Sequence, residues 1–185
     1  DKAVGNILTA LEESGLADST IVVFTSDHGD QMGDHRMLAK SVFYEESTKV
    51  PLLMRIPGMD GRRIPGRISQ IDLVPTLLDL LGEAIPDHLQ GESRVPLLKG
   101  ETTLDQNDAF FEWTAEDNPW RSIVSHEGWK LNLSSTDQCE LYDLNSDPHE
   151  QQNLFDDPPQ QDRIQDLTGR IRRWQVESDD PLPAF

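Results

Sequence analysis

The segment Thr20-Ile21-Val22-Val23-Phe24-Thr25 is apolar and β-branched, and it runs directly into Ser26-Asp27-His28-Gly29-Asp30. Such a run reads as a strand buried on both faces. It stops at Ser26, and three acids, two histidines and two glycines follow within nine residues. In open α/β sheets, ligands sit just beyond the carboxyl ends of the strands. Asp27 and His28 occupy that position, so a chain built around this junction is expected to be α/β.

Asp27 offers a hard oxygen and His28 a borderline nitrogen. Such a pair binds a divalent cation but cannot close its coordination shell alone. Gly29 allows φ > 0, or a close approach of the backbone, just after the pair. Lys40, twelve residues beyond His28, is far enough along for a loop to fold back and present an ammonium. A cation and a lysine around one cleft imply an anionic substrate whose growing charge must be held. The residue types alone also allow a plainer reading. Asp27 and His28 can cap the next element or bond to backbone, with Asp30 and Asp34 solvated.

Longer motifs narrow that choice. Thr25-Ser26-Asp27-His28-Gly29-Asp30, Gly33-Asp34-His35, Lys40 and the run Tyr44 to Leu52 together resemble a characteristic block of the type I sulfatases. That family is part of the alkaline phosphatase superfamily. Ile71 to Gly82 resembles the helix after the family's next strand. Leu141-Tyr142-Asp143-Leu144, with Asp147-Pro148 and Asn153-Leu154, resembles its C-terminal sheet and turn.

The resemblance implies the C-terminal portion of an alkaline-phosphatase-like α/β domain over residues 1–100. A small four-stranded antiparallel sheet with a C-terminal helix is implied over residues 101–185. Metal-ligand roles are implied for Asp27 and His28, with calcium (Ca2+) as the usual ion. Lys40 is implied to contact the sulfate group, and His35 to stand on the substrate side. The implied substrate is a sulfated small molecule or sulfated carbohydrate, and the implied location periplasmic or extracellular. A phosphonate monoester or phosphodiester hydrolase using Mn2+ or Zn2+ is a close rival, because a diester carries one charge, as a sulfate monoester does. A non-catalytic module that binds a cation or a partner is a rival of another class.

One departure from the family stands out. Its nucleophile is a formylglycine made from Cys or Ser in a Cys/Ser-x-Pro/Ala-x-Arg motif, which this sequence lacks. Cys139 is followed by Glu140-Leu141-Tyr142 and cannot stand in. The family's partner metal aspartates are missing as well. The chain is therefore expected to be a C-terminal fragment that does not turn over alone. It is expected either to self-associate or to join a missing N-terminal half.

Composition sets outer limits. The 185 residues carry 34 acids against 16 Lys and Arg, a net charge of −18. That balance argues against nucleic acid and anionic membrane as partners, both of which need clustered basic groups. No apolar stretch approaches the roughly 20 residues needed to span a bilayer. No signal-peptide pattern opens the sequence. A single cysteine excludes an internal disulfide.

In chain order, residues 1–14 read as a helix with Val4, Ile7, Leu8 and Leu11 at helical spacing and Gly15 as its stop. A short helix over 41–47 and a strand over 50–56 follow, then a basic surface segment holding Arg62, Arg63 and Arg67. Residues 72–81 read as an amphipathic helix with Asp72 as N-cap and Gly82 closing it. Residues 86–103 read as a linker. Strands are expected at 109–114, 121–126, 129–133 and 140–144, with a tight turn at His126-Glu127-Gly128 and a core of Trp113, Trp120 and Trp129. A helix over 160–176 presents Ile164, Leu167, Ile171 and Trp174 on one face. His88 and His149 read as surface residues, and the tail 177–185 as loose.

Overall fold

The structure, a computed structural model, describes residues 1–104, 106–115 and 118–180, apart from the side chains of Ala115 and Asn118. Of the tail expected to be loose, residues 181–185 lie outside the described residues. The chain divides into two compact units: residues 1–40 with 46–63, and residues 41–45 with 64–185.

The first unit opens with α1 (Lys2–Glu13), which ends where Gly15 turns left-handed at φ 73°. Its apolar residues share one face, yet none of its residues is buried and Ile7 is 69% exposed. Strand β1 (Val22–Phe24) follows, and after the metal-candidate loop and α2 (Glu45–Thr48) comes β2 (Leu53–Arg55). The two strands pair antiparallel, with Val22 opposite Arg55 and Phe24 opposite Leu53. The expectation of a strand buried on both faces is not met. Val22 and Val23 are half-buried and Phe24 is exposed, because β1 has a single ladder partner among the described residues.

The second unit carries α3 (Leu73–Leu81), closed by left-handed Gly82 as its sequence implies. Asp72 does not cap that helix through its side chain. Its carboxylate instead accepts the Glu92 backbone N–H at 3.0 Å and the Arg94 Nε at 2.7 Å. A buried carboxylate needs charged or N–H partners, and these two come from the stretch expected to be a linker. That stretch contains a short helix, α4 (Val95–Lys99), with Val95 and Leu97 buried. Arg67 of the basic segment is half-buried and donates to the Ser125 carbonyl at 3.4 Å.

Four strands then form an antiparallel meander in chain order: β3 (Ala109–Ala115), β4 (Asn118–Val124), β5 (Trp129–Ser134) and β6 (Glu140–Asp143). Gly128, at φ 90°, makes the tight turn between β4 and β5. Helix α5 (Gln161–Glu177) packs on the sheet. The register lines up Phe110, Ile123, Leu131 and Leu141 across the four strands. With Leu133, Ile164, Leu167 and Ile171 they form the core.

The three tryptophans do not supply this core as expected. Side chains alternate between sheet faces. Trp113 and Trp120 share parity with Ser122, not Ile123, so they point away from α5, and Trp113 is exposed. Trp129 reaches only the rim of the core, where the Arg163 guanidinium sits 3.8 Å over its ring. The face opposite α5 is polar and still buried. Ser122 donates to Asn132, and Asn132 to Glu140. Lys130, with no exposed surface, bonds the Phe43 carbonyl at 2.6 Å, Glu45 at 3.0 Å and Glu150 at 2.9 Å.

Candidate metal and anion site

β1 delivers the chain to Ser26, whose hydroxyl donates to the His28 carbonyl at 2.8 Å and to Asp27 at 3.3 Å. This small turn throws both candidate ligands beyond the strand end. The His28 Nδ1 lies 2.7 Å from the Gly29 carbonyl, which can only accept, so Nδ1 carries the proton and Nε2 offers its lone pair. Asp27 Oδ2 lies 3.2 Å from that Nε2. Lys40 Nζ also reaches it, at 2.5 Å. The ammonium is thus directed to His28. Asp27 is exposed, and its carboxyl is held below the ordinary range, chiefly by the His28 backbone N–H.

The loop that returns Lys40 is closed by its own backbone. The Gln31 N–H donates to Ala39 O at 2.8 Å, and Gly33 N–H to Met37 O at 2.9 Å. Closure forces Met32, His35, Arg36, Ala39 and Ser41 into positive φ. Conformations of that kind persist only where surrounding bonds over-determine them. Fully buried Gln31 supplies such an anchor by donating to Ser47 Oγ at 2.8 Å. Gly29 donates to the Ser47 carbonyl at 2.8 Å and runs so close to Glu46 that a Cβ would collide with its carbonyl oxygen.

The structure therefore brings Asp27, His28 and Lys40 together. His35 lies elsewhere in the loop, in a 3-10 turn (Asp34–Arg36), with its ring nitrogen within 4.8 Å of a Glu46 carboxylate oxygen. Gln31 and Ser47 were not recognisable from the sequence as the loop's anchor. They are sixteen residues apart, and neither sits in a ligand-type pattern. Gly29 was the one local signal.

The donor set fits a divalent cation. An ionised carboxylate oxygen and an imidazole lone pair stand 3.2 Å apart and point outward, and the lone pair that accepts the ammonium can equally ligate a metal.

The profile of the family described as N-sulphoglucosamine sulphohydrolase, C-terminal, matches residues 33–177. The chain belongs to that family. It is 34% identical over 170 residues to the N-acetylglucosamine-6-O-sulfatase of Bacteroides thetaiotaomicron, covering 84% of this chain and 30% of that protein. A solved 2-O GAG sulfatase superposes with a TM-score of 0.85 at 31% identity, over 97% of this chain and 41% of the other. The phosphonate monoester hydrolase of Agrobacterium radiobacter superposes with a TM-score of 0.81 at 30% identity, over 94% and 38%. The chain of this sulphohydrolase family thus spans about a third of the length of such relatives. Its fold is the C-terminal portion of the alkaline-phosphatase-like architecture, ending in the four-stranded sheet and α5. Sulfatases of this superfamily are metal-dependent.

Proposed function

We propose that these residues form part of a metal-dependent sulfuric ester hydrolase acting on a sulfated carbohydrate or sulfated small molecule. The observation that carries this is the convergence of Asp27 Oδ2, the His28 Nε2 lone pair and the Lys40 ammonium at one strand end. Asp27 and His28 would hold the divalent ion, calcium in the first reading, which supplies Lewis acidity toward the ester oxygens. Lys40 stabilises the charge that develops on those oxygens. His35, in the same loop, is assigned to the substrate side. These 185 residues contain no Cys/Ser-x-Pro/Ala-x-Arg segment, so the nucleophile in this reading comes from outside them, and on their own they are expected to hydrolyse no ester.

The test is Lys40→Ala in the product of the full reading frame. A donor aimed at transition-state charge is worth about 10²–10³ in rate, felt in kcat more than in KM. Metal content and Tm should stay put, because Lys40 is exposed. Lys40→Arg should rescue poorly, since a planar fork does not replace a point charge. An unchanged kcat/KM would remove Lys40 from the site.

The likeness to a phosphonate monoester hydrolase favours a second reading, hydrolysis of phosphonate monoesters or phosphodiesters with manganese or zinc. Side-by-side rates on an aryl sulfate and an aryl phosphonate monoester, with metal analysis of the purified enzyme, separate the two.

A further inference from the structure

A second cluster lies wholly within the residue 64–185 unit. Asp108 immediately precedes β3, His126 and Glu127 form the β4–β5 turn, and Arg170 and Asp166 project from α5. They line a cavity of about 570 Å³. One ligand-type atom each from Asp108, His126 and Glu127 falls within 4.8 Å of the others.

The imidazole is oriented as a metal-bound histidine is. Asp108 Oδ1 accepts the His126 backbone N–H at 3.0 Å and lies 3.1 Å from the ring Nδ1. Two donors from one residue on one oxygen fix both the ring position and the tautomer, with the proton on Nδ1. Histidines that bind metal commonly give their other N–H to a carboxylate in this way. Nε2 then faces Glu127 Oε1 at 3.3 Å. Two acceptors do not face each other at that distance, so either a proton on Nε2 or a bound cation stands between them. Ligands about 2.0–2.1 Å from a tetrahedral zinc stand roughly 3.3 Å from one another.

The local charge points the same way. Asp108, Glu127 and Asp166 all share the single guanidinium of Arg170, at 3.3, 3.0 and 2.7 Å. With Glu177 and Arg173 also on the cavity lining, four carboxylates face two guanidinium groups, which leaves an excess of negative charge there.

We propose that His126 Nε2 and Glu127 Oε1 hold a divalent cation of borderline softness, zinc foremost, with Asp108 as the positioning residue behind the imidazole and water completing the shell. Arg170 Nη2 competes for the same Glu127 oxygen, so the site is a weak, exchangeable one. The alternative is that the cluster only ties the β4–β5 turn to α5 through ion pairs.

Titrating the 185-residue chain with Co2+, read by its visible absorption and by displacement with Zn2+, decides between them. An Asp27→Asn, His28→Ala, His35→Gln background removes the histidines of the other candidate clusters. One equivalent should bind at submillimolar metal. Glu127→Gln, in an exposed turn where folding is least at risk, and His126→Gln should each weaken binding at least tenfold. Asp108→Asn should weaken it about 10–100-fold, the usual effect of losing a partner behind a metal ligand. Arg170→Gln should tighten it by removing the competitor, whereas a purely structural cluster would only lose Tm in that variant. Absence of stoichiometric binding, or binding that survives both Glu127→Gln and His126→Gln, overturns the proposal.

Discussion

Gly29 leaves almost no tolerance at the candidate site. Its N–H is bonded to Ser47 O, and a Cβ would fall on the Glu46 carbonyl oxygen. Backbone cannot rotate aside as a flexible side chain can, so the loop itself would have to move. Gly29→Ala should destabilise the unit by about 1–3 kcal/mol, the usual cost of overpacking. It should also weaken metal binding at Asp27 and His28, because the displaced segment carries both. Thermal melts with a parallel calcium titration check this, and a variant with unchanged Tm and affinity would show that the loop has slack. At this scale the sequence was informative. Asp27, His28 and Lys40 fall within fourteen residues of one another, and a closed loop has few ways to arrange so short a span. The Gln31–Ser47 anchor was not legible, because its bond is made by ordinary polar residues that only the folded loop brings face to face.

Among the elements, the β4–β5 turn and α5 are joined by charge. Arg170 bonds both Glu127 oxygens, and Glu127 titrates near 2 in place of its ordinary 4.5. A carboxyl with a depressed folded-state pKa contributes stability that is present above pH 4.5 and lost as pH falls toward 2. The Glu127 side chain is 40% exposed, so solvent screens the effect and added salt should shrink it. Glu127→Gln should therefore melt earlier than the parent at pH 7 and converge with it near pH 2. Parallel Tm–pH curves would show that this ion pair contributes nothing. The elements themselves were partly legible. Alternation and turn residues located four strands and α5 closely, since period-2 and period-3.6 patterns are local. Helix α4 is not legible because its five residues, Pro96 among them, are too few to show a period. The role of Asp72 escaped because its partners, Glu92 and Arg94, lie in what resembled an unstructured linker.

For the molecule as a whole, the apolar surface of the first unit matters most. Helix α1 buries none of its residues, and Ile7, Phe24 and Leu53 are 69, 47 and 60% exposed. A two-stranded ladder that pairs with no further strand among the described residues, in a unit with such a surface, invites further chain to cover it. The 185-residue chain should accordingly self-associate in light scattering, and Ile7→Glu should reduce the association. A monodisperse monomer with native helix content would count against this. The burial of β1 could not be read from its residues. An apolar β-branched run specifies a strand, but which neighbours lie over its faces is a property of distant chain.

The meander of the second unit bears on how quickly that unit acquires its shape. Each of its four strands pairs with the next one along the chain, so the sheet can grow by successive hairpins with little entropy lost to closing large loops. The β1–β2 ladder must instead bring Phe24 to Leu53 across the whole candidate loop. During refolding the four-stranded sheet should therefore form ahead of the β1–β2 ladder, so the segment that carries Asp27, His28 and Lys40 closes after the meander has taken shape.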